Sequence, residues 1–191
     1  MSNASSKNRI EIWLILALCV APLIAAYVAN YWWQPQQGTI NYGELLPVQP
    51  LPDSALQLVE GRAFRISELR RKWVLLQVDS GTCDENCRHK LYILRQVRLT
   101  QGKNMQRVER AWVIDDNSIP SPQLLQEYSG TWLIRGAGSA LLKALPASSS
   151  ARDHIYVVDP LGNLMLRFPP DADPRKMVKD ITRLLKVSRI G

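Results

Sequence analysis

Histidine and cysteine are scarce in this chain, and their scarcity narrows the chemistry open to it. Two histidines in 191 residues exclude a metal site built on several imidazoles. Three cysteines are too few for a disulfide scaffold. One of them, Cys19, lies in an apolar N-terminal stretch and reads as a small packing or lipid-facing side chain. A single pair, Cys83 and Cys87, is left for the folded part. Long runs of one charge are also missing. The net charge is +7, but the Lys and Arg are spread through helices, and no nucleic acid is expected as a partner. Repeats and low-complexity tracts are absent from the sequence, which argues against a solenoid or a disordered array.

One long apolar run is present. Ile12 to Trp33 is about 22 residues without a charge, enough to cross a bilayer. Tyr31, Trp32 and Trp33 close it with the aromatic belt of a membrane interface. Lys7 and Arg9 precede it, and positive charge stays inside. The expected organisation is therefore a cytoplasmic tail over 1–9, a transmembrane signal anchor over 10–33 and an outward-facing remainder. A cleaved signal peptide would have a shorter apolar run, about 7–15 residues, and a small-x-small site. Residues 34–55 read as a tether, punctuated by Pro35, Pro47, Pro50 and Pro52. Residues 56–191 have the length of one ordinary domain.

Within that domain strands alternate with helices. Gln57–Val59 and Ala63–Arg65 form a hairpin about Glu60-Gly61, and Ser67 is placed to cap a helical turn. Trp73–Val78 is a core strand. Asp84–Thr100 is a helix with Cys87, Leu91, Leu94 and Val97 on one stripe, ended by Gly102. A strand over Val108–Ile114, a helix over Pro122–Tyr128 capped by Ser121, a strand over Thr131–Ile134 and a short helix over Ser139–Leu145 follow. His154–Val158 and Asn163–Phe168 pair across the turn Asp159-Pro-Leu-Gly162, and Asp173 caps a last helix that starts at Pro174.

The stretch Val78-Asp-Ser-Gly-Thr-Cys83-Asp-Glu-Asn-Cys87 is where the chemistry gathers. Two thiols stand where a strand hands over to a helix, whose free N–H groups and positive dipole end favour a thiolate. Such a pair can exchange electrons with a disulfide or hold a soft metal such as Cu(I). In a regular helix, side chains at i and i+4 have Cβ atoms about 5–6 Å apart, whereas a disulfide wants roughly 3.8 Å. Cys83 is therefore expected in the loop or at the cap, free to approach Cys87. Asp84 and Glu85 oppose the dipole, raising the thiol pKa while favouring a bound cation.

The order β, β, β-CxxxC-α, β, α, β, hairpin, helix is similar to the thioredoxin superfamily: an α/β sandwich with a central mixed sheet flanked by helices, here preceded by one transmembrane helix. Gly61-Arg-Ala-Phe-Arg-Ile-Ser-Glu-Leu69, Cys83-Asp-Glu-Asn-Cys87 and Ile155-Tyr-Val-Val-Asp-Pro-Leu-Gly162 narrow this to a resemblance to the Sco/SenC proteins, over roughly Leu56 to Lys186. The tail also resembles small membrane-anchored proteins encoded beside oxidase assembly factors in proteobacteria. The resemblance implies a copper chaperone or thiol reductase for the copper centre of cytochrome c oxidase subunit II, in the bacterial inner membrane with its domain in the periplasm. Subunit II, other oxidase assembly factors and the lipid bilayer are the implied partners. Cys83 and Cys87 would be the redox pair, or with His154 the Cu(I) ligands. The sequence departs from the family in two places. Asp84 and Arg88 follow the cysteines where Sco proteins have proline, and His154 stands about three positions later than the family's ligand histidine. A non-catalytic assembly scaffold is the alternative these departures favour. His89, two residues past Cys87, points away from a shared face. Arg88, Lys90, Arg95, Arg98, Lys103, Arg107 and Arg110 read as a solvated basic face; Trp112 and Trp132 are expected in the core, and Asp115 and Asp116 in a turn.

Overall fold

The structure, a computed structural model, describes residues 4–32, 41–188 and 190. The chain divides into two compact units, Met1–Ile40 and Asn41–Gly191. In the first, α1 (Ala4–Trp32) is a single helix of 29 residues with Pro22 inside it. Trp13, Leu18, Leu23 and Tyr27 are among its exposed apolar side chains. Among the described residues no helix is long and apolar enough to cross a membrane. The side chains at both ends of the expected anchor, and residues 33–40, lie outside the described residues.

The second unit holds β1 (Glu44–Pro50), β2 (Leu56–Leu58), β3 (Ala63–Phe64), β4 (Trp73–Asp79), α2 (Glu85–Leu99), β5 (Val108–Ile114), α3 (Pro122–Glu127), β6 (Thr131–Arg135), α4 (Ala140–Lys143), β7 (Ile155–Val158), β8 (Asn163–Phe168) and α5 (Pro174–Val187). The strands form one mixed sheet in the order β1-β8-β7-β4-β5-β6-β2-β3. β4 runs parallel to β5 and antiparallel to β7, and β5 runs parallel to β6. Every residue of β4 is buried, as expected of a strand covered on both faces.

Alternation along β4 divides the core. Trp73 and Leu75 meet Ile93, Leu94 and Val97 of α2 and Met177, Ile181 and Leu185 of α5. Val74, Leu76 and Val78 point the other way, onto Phe64, Ile66, Leu69 and Leu141. Burying each such side chain contributes roughly 1.5–3 kcal/mol, so the two layers dominate the stability of the unit. The stripe Cys87, Leu91, Leu94, Val97 is buried. α5 starts as expected, with Asp173 accepting a hydrogen bond from Arg175 N at 2.8 Å.

Three local expectations change. Residues 44–50, within the stretch expected as tether, form edge strand β1 on β8. Gly43 N donates to Asp180 Oδ2 at 2.9 Å, and Leu51 is buried, so the segment is fastened at both ends. Pro47 and Pro50 fit because an edge strand leaves one side of its backbone unpaired. Ser67 does not cap the turn Ile66–Leu69 but lies inside it, its N–H held by Asp53 Oδ1 at 2.9 Å. Gly102 does not end α2, which closes at Thr100; it opens a short 3-10 turn, Gly102–Arg107.

Candidate functional site

β4 ends at Asp79 and the chain turns through Ser80, Gly81 and Thr82, with Cys83 N donating to Ser80 O at 3.1 Å. Cys83 takes a left-handed conformation, φ 46°, outside the helix. Asp84 is the cap of α2, its Oδ1 accepting from Cys87 N at 2.9 Å. These turns bring Cys83 to Cys87, and the two are joined in a disulfide with Cα atoms 5.1 Å apart. The cap and the left-handed residue together do what two helical positions could not. The pair is covered: Cys83 is 3 % exposed and Cys87 1 %, packed with Leu91, Trp112, Ile114, Leu124 and Tyr128.

The loop carrying Cys83 is tied to the loop after β5. Asp116 accepts from Ser80 Oγ, from Gly81 N at 3.1 Å and from Ser118 N at 3.0 Å. The Ser80 hydroxyl foremost holds this carboxyl well below the usual carboxylate range. Asp115 takes Arg152 in a two-pronged pair, both contacts 2.7 Å. The two aspartates therefore fasten elements together, beyond forming the expected turn.

Beside the disulfide lies a buried polar group of Gln77, Asp79 and Lys90; Lys90, expected on the solvated basic face, is buried here because Asp79 pairs its charge. Asp79 Oδ2 and Lys90 Nζ are 2.6 Å apart, each side chain 7 % exposed. Lys90 also donates to Val78 O at 3.2 Å and to Arg152 O. Burial pushes the Asp79 carboxyl up to about 6, more than the adjacent Lys90 pulls it down. Gln77, fully buried, donates from Nε2 to Asp79 Oδ2 at 3.3 Å and to Cys87 Sγ at 3.7 Å. A charged residue three positions after Cys87, and two polar residues at alternate places, Gln77 and Asp79, at the end of an apolar strand, were the signals available.

His154 is buried, and its contacts are with Phe168 and Tyr156. Its Nδ1 donates to Phe168 O at 2.9 Å, since a carbonyl can only accept. Its ring meets the edge of Tyr156 at 6.0 Å. Tyr156 belongs to the layer of Val74 and Leu76, across the sheet from α2 and Cys87. Among the described residues no three His, Cys, Asp or Glu side chains group to hold a metal ion. His89 is exposed and lines a cleft of about 170 Å³ with Asn86, Lys90 and Asp153. Much of the basic face is internal fastening: Arg98 donates to Val108 O at 2.6 Å, Arg107 to Leu185 O at 2.9 Å and Arg110 to Ser129 O at 2.8 Å. Trp112 is in the core; Trp132 is half-buried, with Arg62 over its ring at 5.5 Å.

A central parallel-antiparallel sheet, helices on both faces and a disulfide at the strand-to-helix junction define a thioredoxin-like protein. The chain belongs to the family described as "Transmembrane-like, thioredoxin-like, C-terminal domain", whose model matches residues 73–188. Comparison with curated proteins finds no match. Among solved structures the fold is similar to yeast Sco1 with copper bound, at 18% identity and TM-score 0.60, covering 73% of this chain and 94% of that one. It is also similar to Bradyrhizobium japonicum ScoI with copper bound, at 18% identity and TM-score 0.54, covering 71% and 99%. A SCO1/SenC family lipoprotein from Bacillus anthracis matches at 15% identity and TM-score 0.54, covering 75% and 96%. The fold is that of the Sco/SenC proteins, as the sequence resemblance implied.

Proposed function

We propose that this chain is a membrane-anchored thiol–disulfide protein of cytochrome c oxidase assembly, which reduces the cysteines that will hold copper in subunit II. The observation that carries this reading is the Cys83–Cys87 disulfide at the start of α2. In the reduced chain the Cys83 thiolate attacks one sulfur of the target disulfide, and a target thiolate leaves and takes up a proton. The Cys87 thiolate then attacks Cys83 Sγ, the second target thiolate leaves, and the Cys83–Cys87 bond re-forms. Two electrons pass to the target, and a dithiol reductant must restore the pair. Because both cysteines are covered, exchange waits on the loop over residues 80–83 yielding. Residues 10–33 anchor the chain in the bacterial inner membrane, with the domain in the periplasm; the exposed apolar side chains of α1 and the family's description support this. An oxidising compartment also suits a closed disulfide.

Delivery of Cu(I) is the second reading, favoured by the shared fold with copper-bound Sco structures. Once reduced, Cys83 and Cys87 offer two soft donors. In that reading His154 would be the third ligand through Nε2, its Nδ1 still donating to Phe168 O. Both readings are tested on the full chain in detergent, reduced and kept anaerobic. An oxidised peptide bearing the subunit II copper-site cysteines should be reduced by the wild type and not by a Cys83→Ser, Cys87→Ser variant. Failure of the wild type ends the reductase reading. Cu(I) titration of the same samples against a chelator then decides cargo: tight one-to-one binding lost in the cysteine variant supports delivery, and loss in His154→Ala as well gives His154 a ligand role. A cysteine variant that still supports oxidase assembly in cells would make the protein a scaffold.

A further inference from the structure

We infer that Gln77 is a positioning residue that sets the reduction potential of the Cys83–Cys87 pair through its contact with Cys87 Sγ. The inference rests on the thiol–disulfide reading above. Gln77 sits on β4 two residues before Asp79, on the face that α2 covers, and is fully buried. Its amide nitrogen faces two acceptors, Cys87 Sγ at 3.7 Å and Asp79 Oδ2 at 3.3 Å. An amide carries two N–H donors on one side and a carbonyl on the other. Turned over, it would set its oxygen against a carboxylate and a disulfide sulfur, both of which can only accept. The orientation is therefore fixed by its neighbours.

Asp79 is in turn held by Lys90 at 2.6 Å, and Lys90 is anchored to Val78 O. The amide is thus braced from behind, one N–H spent on the carboxylate and the other aimed at sulfur. The other end of the amide shows what this arrangement leaves unmet. Gln77 Oε1 is buried and has no hydrogen-bond partner. A fold seldom leaves a buried acceptor unpaired without a functional reason. A leucine of similar size would fill the site with nothing left unpaired, so packing alone does not ask for glutamine.

The disulfide sulfur is neutral and a poor acceptor, whereas a thiolate is a strong one, and charge-assisted hydrogen bonds are roughly twice as strong as neutral ones. The Gln77 N–H therefore stabilises the reduced pair more than the oxidised pair, and raises its potential. Gln77→Leu removes this preference and should make the pair a stronger reductant. Gln77→Asn keeps the amide but shortens its reach, and should fall between wild type and Leu.

The test is equilibration of the full chain in detergent with dithiothreitol buffers of graded potential, reading the fraction alkylated by mass. We expect Gln77→Leu to shift the thiol–disulfide equilibrium constant at least tenfold toward the oxidised form, about 30 mV. Asn should shift it less. In parallel, the side-chain amide signals of Gln77 in the nitrogen-15 labelled wild type should move on reduction, which needs no variant to fold. A Gln77→Leu potential equal to wild type, or amide signals indifferent to reduction, overturns the inference and leaves the thiol–disulfide reading standing. A pair that never cycles in these buffers overturns both.

Discussion

The buried carboxylate of Asp79 makes a pH dependence that one substitution should remove. Its pKa rises from an ordinary 3.8 to about 6 in the folded chain, chiefly because burial penalises the charge. The folded state therefore binds more protons than the unfolded state between those values, and stability falls as pH rises through that window. Over the whole window the effect amounts to about 3 kcal/mol, at roughly 1.4 kcal/mol per pKa unit. Between pH 7 and pH 5 the folded protein becomes mostly protonated at Asp79 while the unfolded chain stays ionised. That contributes about 1.3 kcal/mol of extra stability at pH 5. Asp79→Asn carries no titratable proton and should lack this gain, while every other group's contribution cancels in the comparison. Asp116 does not interfere, because its lowered pKa affects stability only in more acid solution. The assay is urea denaturation of the oxidised full chain in detergent at both pH values, read by tryptophan fluorescence. The wild type should gain about 1 kcal/mol more than Asp79→Asn on acidification. Equal gains would refute a raised Asp79 and with it the account of the buried pair.

Two further substitutions probe how the loop bearing Cys83 is held. In Gly81→Ala the new Cβ would stand 2.3 Å from Ser118 O, a backbone atom. It should lower stability by about 1–3 kcal/mol and loosen the Asp116 clamp, seen as a lower midpoint in thermal denaturation. Asp84→Ala removes the acceptor for Cys87 N and should cost about 1 kcal/mol in urea denaturation, whereas Asp84→Ser should retain most of it.

The long apolar periods were legible because burial dictates them: β5, β8 and the start of α5 lie where Val108–Ile114, Asn163–Phe168 and Pro174 indicated. β1 was hidden because its prolines read as linker, and only the partner β8 makes an edge strand of it. Cys83 in the loop followed from i, i+4 geometry. The surroundings of the disulfide did not, since Gln77, Asp79 and Lys90 meet through strand register and helix placement, neither of which is local in sequence. His154 shows the same limit. Expected as the first residue of a strand, it stands one place before β7, its ring against Tyr156.

Lys90 bolts α2 to the end of β4 through Asp79 and Val78, one turn beyond Cys87. The helix is therefore the anvil of the site and the loop over residues 80–83 its hammer. Cys87 is held by the helix that Lys90 fastens to the sheet, and Cys83 by a loop whose ties run to Asp116. The two sulfurs are thus fastened from opposite sides, one through the helix to β4 and one through the loop over residues 80–83 to Asp116 after β5.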